Sequence, residues 1–279
     1  MRARRHIVFA LTMGLVAAAC TTQPAPAPPG SVPTPEPLAG FDLGGTLARV
    51  LDGDTVEVRT ETRVVRVRLA GINAPEGEEC FGDVAASHLG ALTGGPVRVE
   101  VVGTDQFGRA LGYVWARDTL VNLDLVSRGL ALATTPRDKD RYGPPMLQAE
   151  GVAYAERLGL WSPEGCGSGP LPELKFMPEA SVIDPPGPDD RALSEEQLVI
   201  VNRGDEPVDM TGWVLRDESS RHRYHFPRGL LLGRGYVFVV SSDLPGWDPG
   251  DSPVWNNTGD MALLLDPAGR VVARWRYEP

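Results

Sequence analysis

Residues 47–69, LARVLDGDTVEVRTETRVVRVRL, contain three short segments in which β-branched and polar residues alternate. The segments cover residues 47–51, 55–59 and 64–69. Alternation with a period of two and an excess of valine are typical of half-buried β-strands. The Asp-Gly pair at 52–53 favours a tight turn between the first two segments. The stretch therefore predicts consecutive strands joined by short turns.

The sequence up to residue 167 continues with two more strand patterns and with three helical patterns. The strand patterns lie at residues 97–101 and 111–115, and the helical patterns lie at residues 83–92, 120–128 and 144–158. A Pro-Pro pair begins the last helical pattern and Gly159 follows it, as expected at the two ends of a helix. Together these elements predict a five-stranded β-barrel of the OB type with three helices.

From residue 193 onward helical periodicity is absent. Strand patterns at 198–201, 236–240 and 262–265 alternate with turn clusters, which predicts an all-β sandwich. Clusters of glycine and proline between the two parts indicate loop or linker. We therefore predict a first domain at residues 41–168, a linker at 169–192 and a second domain at 193–279.

The N-terminal residues have the composition of an export signal. Arginines precede an apolar run at residues 7–19, which is too short to span a bilayer and is typical of a signal-peptide core. We expect residues 1–19 to be a signal peptide and the protein to be exported from the cytoplasm.

The apolar run ends in Ala17-Ala18-Ala19-Cys20, which resembles the bacterial lipobox. The resemblance implies that Cys20 is acylated and that the protein is held on the outer face of the cell membrane. Cleavage that leaves Cys20 unmodified is the alternative. Residues 20–40 are rich in proline and predict an extended tether.

The chain contains three cysteines. With Cys20 taken by lipid, Cys80 and Cys166 form an even pair in an exported chain, which predicts one disulfide. Such a bond would close a loop of 86 residues and stabilise the fold by about 4 to 5 kcal/mol in the chain-entropy model. Two unpaired thiols are the alternative.

The net charge of the chain is −10. Residues 41–168 contain 13 Lys and Arg against 18 Asp and Glu, so this part also lacks a basic surface for nucleic acid. We therefore do not expect tight, non-specific DNA binding. Any attraction to phosphate must come from a few arginines and a metal ion.

Three polar segments interrupt the strand patterns of the first domain. They are Asp-Gly-Asp-Thr at 52–55, Arg-Leu-Ala-Gly-Ile-Asn-Ala-Pro-Glu at 68–76, and Asp-Gln-Phe-Gly-Arg at 105–109. Taken singly, the first is an ordinary hairpin turn and the others carry ordinary surface charges. In this order, with Gly-Leu-Trp at 159–161, they resemble the staphylococcal nuclease family over about 125 residues.

The resemblance implies calcium-dependent hydrolysis of phosphodiester bonds in DNA or RNA, with 3′-phosphate products. It assigns catalytic roles to Arg68, Glu76 and Arg109. The implied metal site consists of Asp54, Asn73, the backbone carbonyl of Ala74 and, nearby, Asp52. Guanidinium groups suit this reaction because they meet phosphate oxygens bidentately, and Glu76 would act on the attacking water.

The sequence departs from the family pattern at two places. Asn73 stands where the family usually has a second aspartate, which predicts weaker calcium binding. The segment at 131–137 lacks the tyrosines that pack on the nucleotide in the best-known member. Phe107 is the aromatic residue that remains at a substrate-facing position.

The segment at 198–217 resembles the core of a lamin-tail domain, an immunoglobulin-like sandwich. The resemblance implies a targeting or binding role, and a cell-surface protein or polysaccharide fits the acidic charge of this part better than DNA does. We expect Trp213 and Trp255 to be buried core residues. His222 and His225 should point to opposite faces of a strand, which argues against a shared metal.

We expect the protein to be a monomer. The main alternative function is a non-catalytic surface-binding or scaffolding lipoprotein with a degenerate nuclease barrel. The intact set of Arg68, Glu76 and Arg109 favours the enzyme. A barrel that binds oligosaccharide or single-stranded nucleic acid would need a row of exposed aromatic residues, which the sequence lacks.

Overall fold

The computed structural model describes residues 32, 35–36, 40–136, 140–186, 193–219, 221–248 and 254–277. The predicted signal peptide, Cys20 and nearly all of the predicted tether lie outside the described residues. Among the helices of the described ranges, none is both long enough and apolar enough to cross a membrane.

The first domain is a closed barrel. Its strands are β1 (Leu43–Val50), β2 (Thr55–Arg59), β3 (Val64–Leu69), β4 (Ile72–Asn73), β5 (Pro96–Thr104), β6 (Ala110–Ala116), β7 (Thr119–Leu120) and β8 (Leu132–Ala133). Five of them form the barrel wall in the order β3-β2-β1-β5-β6 with antiparallel neighbours, and a parallel pairing of β3 with β6 closes it. The predicted five-stranded OB-type fold is confirmed.

Three helices surround the barrel: α1 (Gly82–Leu92), α2 (Val121–Ser127) and α3 (Gly143–Ala155). Helix α3 ends three residues before the predicted end, because Arg157 adopts a left-handed backbone conformation with φ of 56°. A short 3₁₀ helix at Gly159–Trp161 follows. The barrel interior is filled by alternating residues of the wall, such as Val56, Val58 and Val67, as the period-two pattern requires.

The second domain consists of packed antiparallel sheets. Its strands are β9 (Leu174–Phe176), β10 (Gln197–Asn202), β11 (Val208–Asp209), β12 (Val214–Arg216), β13 (Arg223–His225), β14 (Leu231–Leu232), β15 (Val237–Ser241), β16 (Trp247–Asp248), β17 (Asp260–Leu265) and β18 (Val271–Tyr277). The sheets have the orders β15-β10-β9, β11-β14 and β16-β13-β12-β17-β18. The predicted sandwich is confirmed, and Trp213 and Trp255 are buried in its core as expected.

Strand β9 lies inside the stretch that was predicted as linker. It pairs with β10 through Ile200↔Phe176 and Asn202↔Leu174, and Leu174 is fully buried in the sandwich core. A strand of three residues is too short to show a clear alternating pattern, and the prolines and glycines around it indicated a loop. Part of the predicted linker therefore belongs to the second domain.

The two domains pack against each other through a mixed apolar and charged interface. Leu132, Leu160 and Trp161 of the first domain form one buried cluster with Met261 and Leu263 of β17. Leaving these apolar side chains in water would cost free energy, so the cluster favours the docked arrangement.

Charged contacts surround this cluster. Arg274 lies 3.8 Å from the ring centroid of Tyr154, and its Nη1 lies 3.3 Å from Glu150. Arg276 donates to the Ala133 carbonyl at 2.6 Å and pairs with Glu150 at 3.0 Å. Because the Glu150 carboxylate is almost fully buried, its two arginine partners are needed to offset its desolvation.

The predicted disulfide is confirmed. Cys80 and Cys166 are bonded with their Cα atoms 5.7 Å apart. The bond joins the turn before α1 to the segment after the 3₁₀ helix. It therefore ties the chain that follows Glu76 to the segment that leads into the second domain.

Candidate active site

Asp54 lies immediately before β2, in a turn that depends on Gly53. The Asp54 backbone N–H donates to Asp52 Oδ1 at 3.0 Å, which closes the turn locally. A Cβ atom at Gly53 would lie 2.7 Å from the Ala74 Cβ and 2.8 Å from the Ala85 Cβ. Glycine is therefore required for the close approach of this turn to the chain that follows β4.

The Asp54 carboxylate is 5% exposed and is hydrogen-bonded on both oxygens. Oδ2 accepts from the Ala74 backbone N–H at 2.8 Å, and Oδ1 accepts from the Thr55 hydroxyl at 3.1 Å. Burial raises the pKa of Asp54, Arg68 lowers it and the nearby Asp52 raises it, and the result is a pKa of about 7. Cationic charge at this position would stabilise the ionised form.

Arg68 is that cation. It lies near the end of β3, and its Nη2 lies 2.9 Å from Asp54 Oδ2 and 2.9 Å from Asn73 Oδ1. Its Nη1 donates to the carbonyl oxygens of Leu69 at 2.8 Å and Ile72 at 2.9 Å. Contacts on both nitrogens fix the plane of the guanidinium group before any substrate binds.

Asn73 ends the short strand β4 and is 4% exposed. Its side-chain oxygen accepts from Arg68, and its Nδ2 donates to the backbone carbonyl of Glu218 at 3.2 Å. A residue of the second domain therefore contacts a predicted metal ligand of the first.

The oxygens of this pocket fit the chemistry of a hard cation such as calcium. Carboxylate and amide oxygens of Asp54 and Asn73 converge on one positively charged group, and Asp52 lies at the same turn. Ala74 contributes its N–H to Asp54, and a ligand role for its carbonyl stays a prediction. Throughout the described ranges, no group of three or more His, Cys, Asp or Glu side chains is arranged to hold a metal ion.

Arg109 belongs to an exposed turn between β5 and β6. Its Nε lies 2.6 Å from Asp105 Oδ2, and Asp105 Oδ1 accepts from the backbone N–H groups of Phe107 and Arg109, each at 2.9 Å. Desolvation opposes ionisation of Asp105, but the hydrogen bonds from Arg109 outweigh it and lower the pKa of this carboxyl group. The Arg109 guanidinium lies 5.4 Å from the centroid of the Phe107 ring, which is 73% exposed.

The parallel pairing of β3 with β6 explains why two arginines so distant in sequence belong to one site. Val67 is in register with Ala110, and Arg68 is in register with Leu111. Arg109, which precedes β6, is therefore adjacent to the part of β3 that carries Arg68.

Glu76 follows the pocket formed by Asp54, Arg68 and Asn73 along the chain, and it is exposed. Its backbone N–H donates to Glu79 Oε2 at 3.0 Å, and its carbonyl accepts from the Glu79 N–H at 2.8 Å. The structure thus brings Asp54, Arg68 and Asn73 into direct contact and places Glu76 and Arg109 on adjacent segments. The roles assigned to these residues stay predictions.

Several residues beside the pocket were missed from the sequence. Glu79 pairs with Arg223 and lies 3.8 Å from Arg216 Nη1, and both arginines come from the second domain. They line a cavity of about 250 Å³ that also reaches Asn73. More than 130 residues separate Glu79 from either arginine, so no local pattern could have indicated these contacts.

Comparison with known proteins identifies a family for each domain. A family model described as Staphylococcal nuclease homologue matches residues 66–163, and one described as Lamin Tail Domain matches residues 180–279. A micrococcal nuclease of Shigella flexneri is 38% identical over 138 residues, which cover 44% of this chain and 76% of that protein.

Two further relatives have similar coverage. An uncharacterized endonuclease of Escherichia coli O157:H7 is 38% identical over 128 residues, or 45% of this chain and 82% of that protein. A thermonuclease of Staphylococcus intermedius is 34% identical over 122 residues, or 40% of this chain and 73% of that protein. The chain therefore belongs to the staphylococcal nuclease family, and a lamin tail domain follows its nuclease domain.

Proposed function

We propose that this protein is an exported, membrane-anchored nuclease that uses calcium to hydrolyse phosphodiester bonds of DNA or RNA and leaves 3′-phosphate ends. The observation that carries the proposal is the convergence of Asp54 and Asn73 oxygens on the fixed guanidinium of Arg68, with Arg109 on the turn before the adjacent strand β6. The nuclease-named relatives support the same reaction class.

The two arginines would bind the phosphate from different directions. Attack on phosphorus increases the negative charge on the nonbridging oxygens, and guanidinium groups placed beforehand stabilise that charge without reorganising. Arg68 is held by two backbone carbonyls through Nη1 and by Asp54 and Asn73 through Nη2, so its positive charge is fixed in the pocket beforehand. Asp105 holds Arg109 through Nε, so this ion pair does not use the two terminal nitrogens of the guanidinium group.

Glu76 would orient or deprotonate the attacking water. Its exposure gives it access to solvent, and its position three residues after Asn73 places it beside the metal pocket. Asp54, Asn73 and the Ala74 carbonyl would hold calcium, with Asp52 in support. When bound, calcium would supply positive charge against the phosphate oxygens.

Export is supported by the disulfide and by the arginine-preceded apolar run at residues 7–19. A bond between Cys80 and Cys166 is at home in an oxidising compartment. Acylation of Cys20 would place the enzyme on the membrane with residues 20–40 as a spacer. Intact-mass analysis of membrane-extracted protein tests this point, and an unmodified Cys20 in the mature protein would contradict it.

The activity itself is tested with single-stranded DNA and RNA in the presence of calcium or of chelator. We expect cleavage with calcium and none with chelator. Glu76→Ala should lower kcat by about 10²-fold or more, since a general base contributes roughly that factor. Glu78→Ala, which removes a neighbouring exposed carboxylate, is the matched control and should retain activity. Intact nucleic acid with the parent chain would favour the scaffolding alternative.

A further inference from the structure

A loop of the lamin tail domain reaches the predicted metal pocket. The backbone carbonyl of Glu218, just after β12, accepts a hydrogen bond from Asn73 Nδ2 at 3.2 Å, across 145 positions of sequence. Both residues are buried, so water cannot substitute for this bond without opening the interface.

The partners of Asn73 determine which way its amide group points. Arg68 only donates hydrogen bonds, so the atom that faces Arg68 must be the amide oxygen. A backbone carbonyl only accepts, so the atom that faces Glu218 must be the amide nitrogen. A flipped amide would oppose donor to donor on one side and acceptor to acceptor on the other.

Both domains hold the Glu218 carbonyl in place. The Glu218 side chain accepts from the backbone N–H of Thr135 at 2.8 Å and from the Thr135 hydroxyl at 2.9 Å, and it pairs with Arg276 at 3.1 Å. Its own backbone N–H donates to Asp260 Oδ1 at 3.1 Å. The loop is therefore attached to the nuclease domain and to its own domain at the same residue.

We infer that Glu218 is a positioning residue for the calcium site: the lamin tail domain fixes the amide of Asn73 so that its oxygen is presented beside Asp54. The inference rests on the proposed function for the role of calcium. It also explains the asparagine, because an aspartate at position 73 would place a carboxylate oxygen against the Glu218 carbonyl with no proton to share. The second domain is thus part of the catalytic unit as well as a candidate targeting module.

The first test is calorimetric titration of the purified full chain with calcium chloride. Glu218→Ala should weaken calcium binding by about tenfold or more, since residues that orient metal ligands typically have effects of this size. Thr135→Val, which removes one anchor of the same loop, should weaken it in the same direction and by less. Arg234→Met, which removes an exposed ion pair with Asp205 in the second domain, is the control and should leave the affinity within about twofold.

The second test measures the hydrogen bond between Asn73 and Glu218 in the absence of calcium. In ¹⁵N-resolved NMR spectra, the side-chain amide protons of Asn73 should exchange slowly in the parent chain and rapidly in Glu218→Ala. Asn73→Asp assigns the resonances by deleting them. If Glu218→Ala does not fold, Glu218→Gln keeps the side-chain length and removes only its charge.

The outcomes separate this inference from the proposed function. Calcium-dependent cleavage together with an unchanged or tighter calcium affinity in folded Glu218→Ala would overturn the inference alone. Absence of calcium binding by the parent chain would overturn the proposed cofactor and the inference together. Fast exchange of the Asn73 amide in the parent chain would also overturn the inference, whatever the activity.

Discussion

The pocket formed by Asp54, Arg68 and Asn73 and the turn that carries Arg109 belong to one candidate site, but they are built in different ways. In the pocket, Asp54 and Asn73 are buried and Arg68 is partly buried, and their partners come from several strands and from the second domain. In the turn, Asp105 organises Arg109 through contacts within five residues, and Phe107 is exposed. The pocket is thus fixed by the tertiary structure, whereas the turn can adjust to the substrate.

The largest expected effect is in the pocket, where the tertiary structure fixes the side chains. Arg68→Met should lower kcat/KM by about 10³-fold, since it removes a preorganised charge from the position where charge develops. Arg66→Met is the matched control, because Arg66 lies two residues earlier on β3 and forms only a surface ion pair with Glu57. Steady-state kinetics on a labelled oligonucleotide measures both. A loss below tenfold for Arg68→Met would mean that the pocket is not the catalytic centre.

The next effect is the pH dependence of calcium binding in the same pocket. Burial raises the pKa of Asp54 to about 7, and calcium and a proton compete for this carboxylate. Below pH 7 the ionised fraction falls, so the Kd for calcium should rise, by roughly 50-fold between pH 7 and pH 5. Calorimetry at several pH values tests this, with circular dichroism to confirm folding. A Kd that stays constant over this range would show that Asp54 is not a ligand. In Asp54→Asn, the Kd for calcium should depend much less on pH.

A smaller effect is expected at the turn. Asp105→Asn preserves the oxygen that accepts from the backbone but removes the charge that directs Arg109. Because Arg109 keeps its own charge, we expect kcat/KM to fall only about fivefold, in the range of a single exposed ion pair. Asp118→Asn, at an exposed turn of the same domain, is the control. A loss of kcat/KM as large as that of Arg68→Met would mean that the turn is as rigidly required as the pocket.

The smallest effect is expected at Phe107. Phe107→Ala should raise KM about two- to threefold and leave kcat unchanged, because an exposed ring offers stacking area to a base and has little role in folding. Tyr236→Ala, which removes an equally exposed ring from the second domain, should change neither constant. An unchanged KM in Phe107→Ala would place the substrate elsewhere on the barrel.

The disulfide and the two folds were predictable from sequence for specific reasons. Alternating valines in residues 55–59 and 64–69 decide which side chains face the barrel interior, and this is a local property of each strand. Cys80 and Cys166 were an even pair once Cys20 was assigned to lipid. Strand β9 was missed because Leu174–Phe176 has too few residues to show a period.

The candidate site was only half predictable. Order and spacing of motifs identified Arg68, Asn73 and Arg109, and the parallel register of β3 and β6 then explains their proximity. The contacts of Glu79 with Arg216 and Arg223, and of Asn73 with Glu218, had no signal in the sequence. Each links one residue of the nuclease domain to a loop or strand of the other domain.

The sequence by itself determined the barrel, the sandwich and the disulfide, and it supplied the candidate residues for binding metal and phosphate. These follow from the period of apolar residues and from the chemistry of individual side chains, which are written locally along the chain. Only the tertiary structure decided that the lamin tail domain docks beside Asn73 and orients its amide. That contact depends on packing between surfaces that are more than 140 residues apart in sequence, and no local pattern encodes such packing.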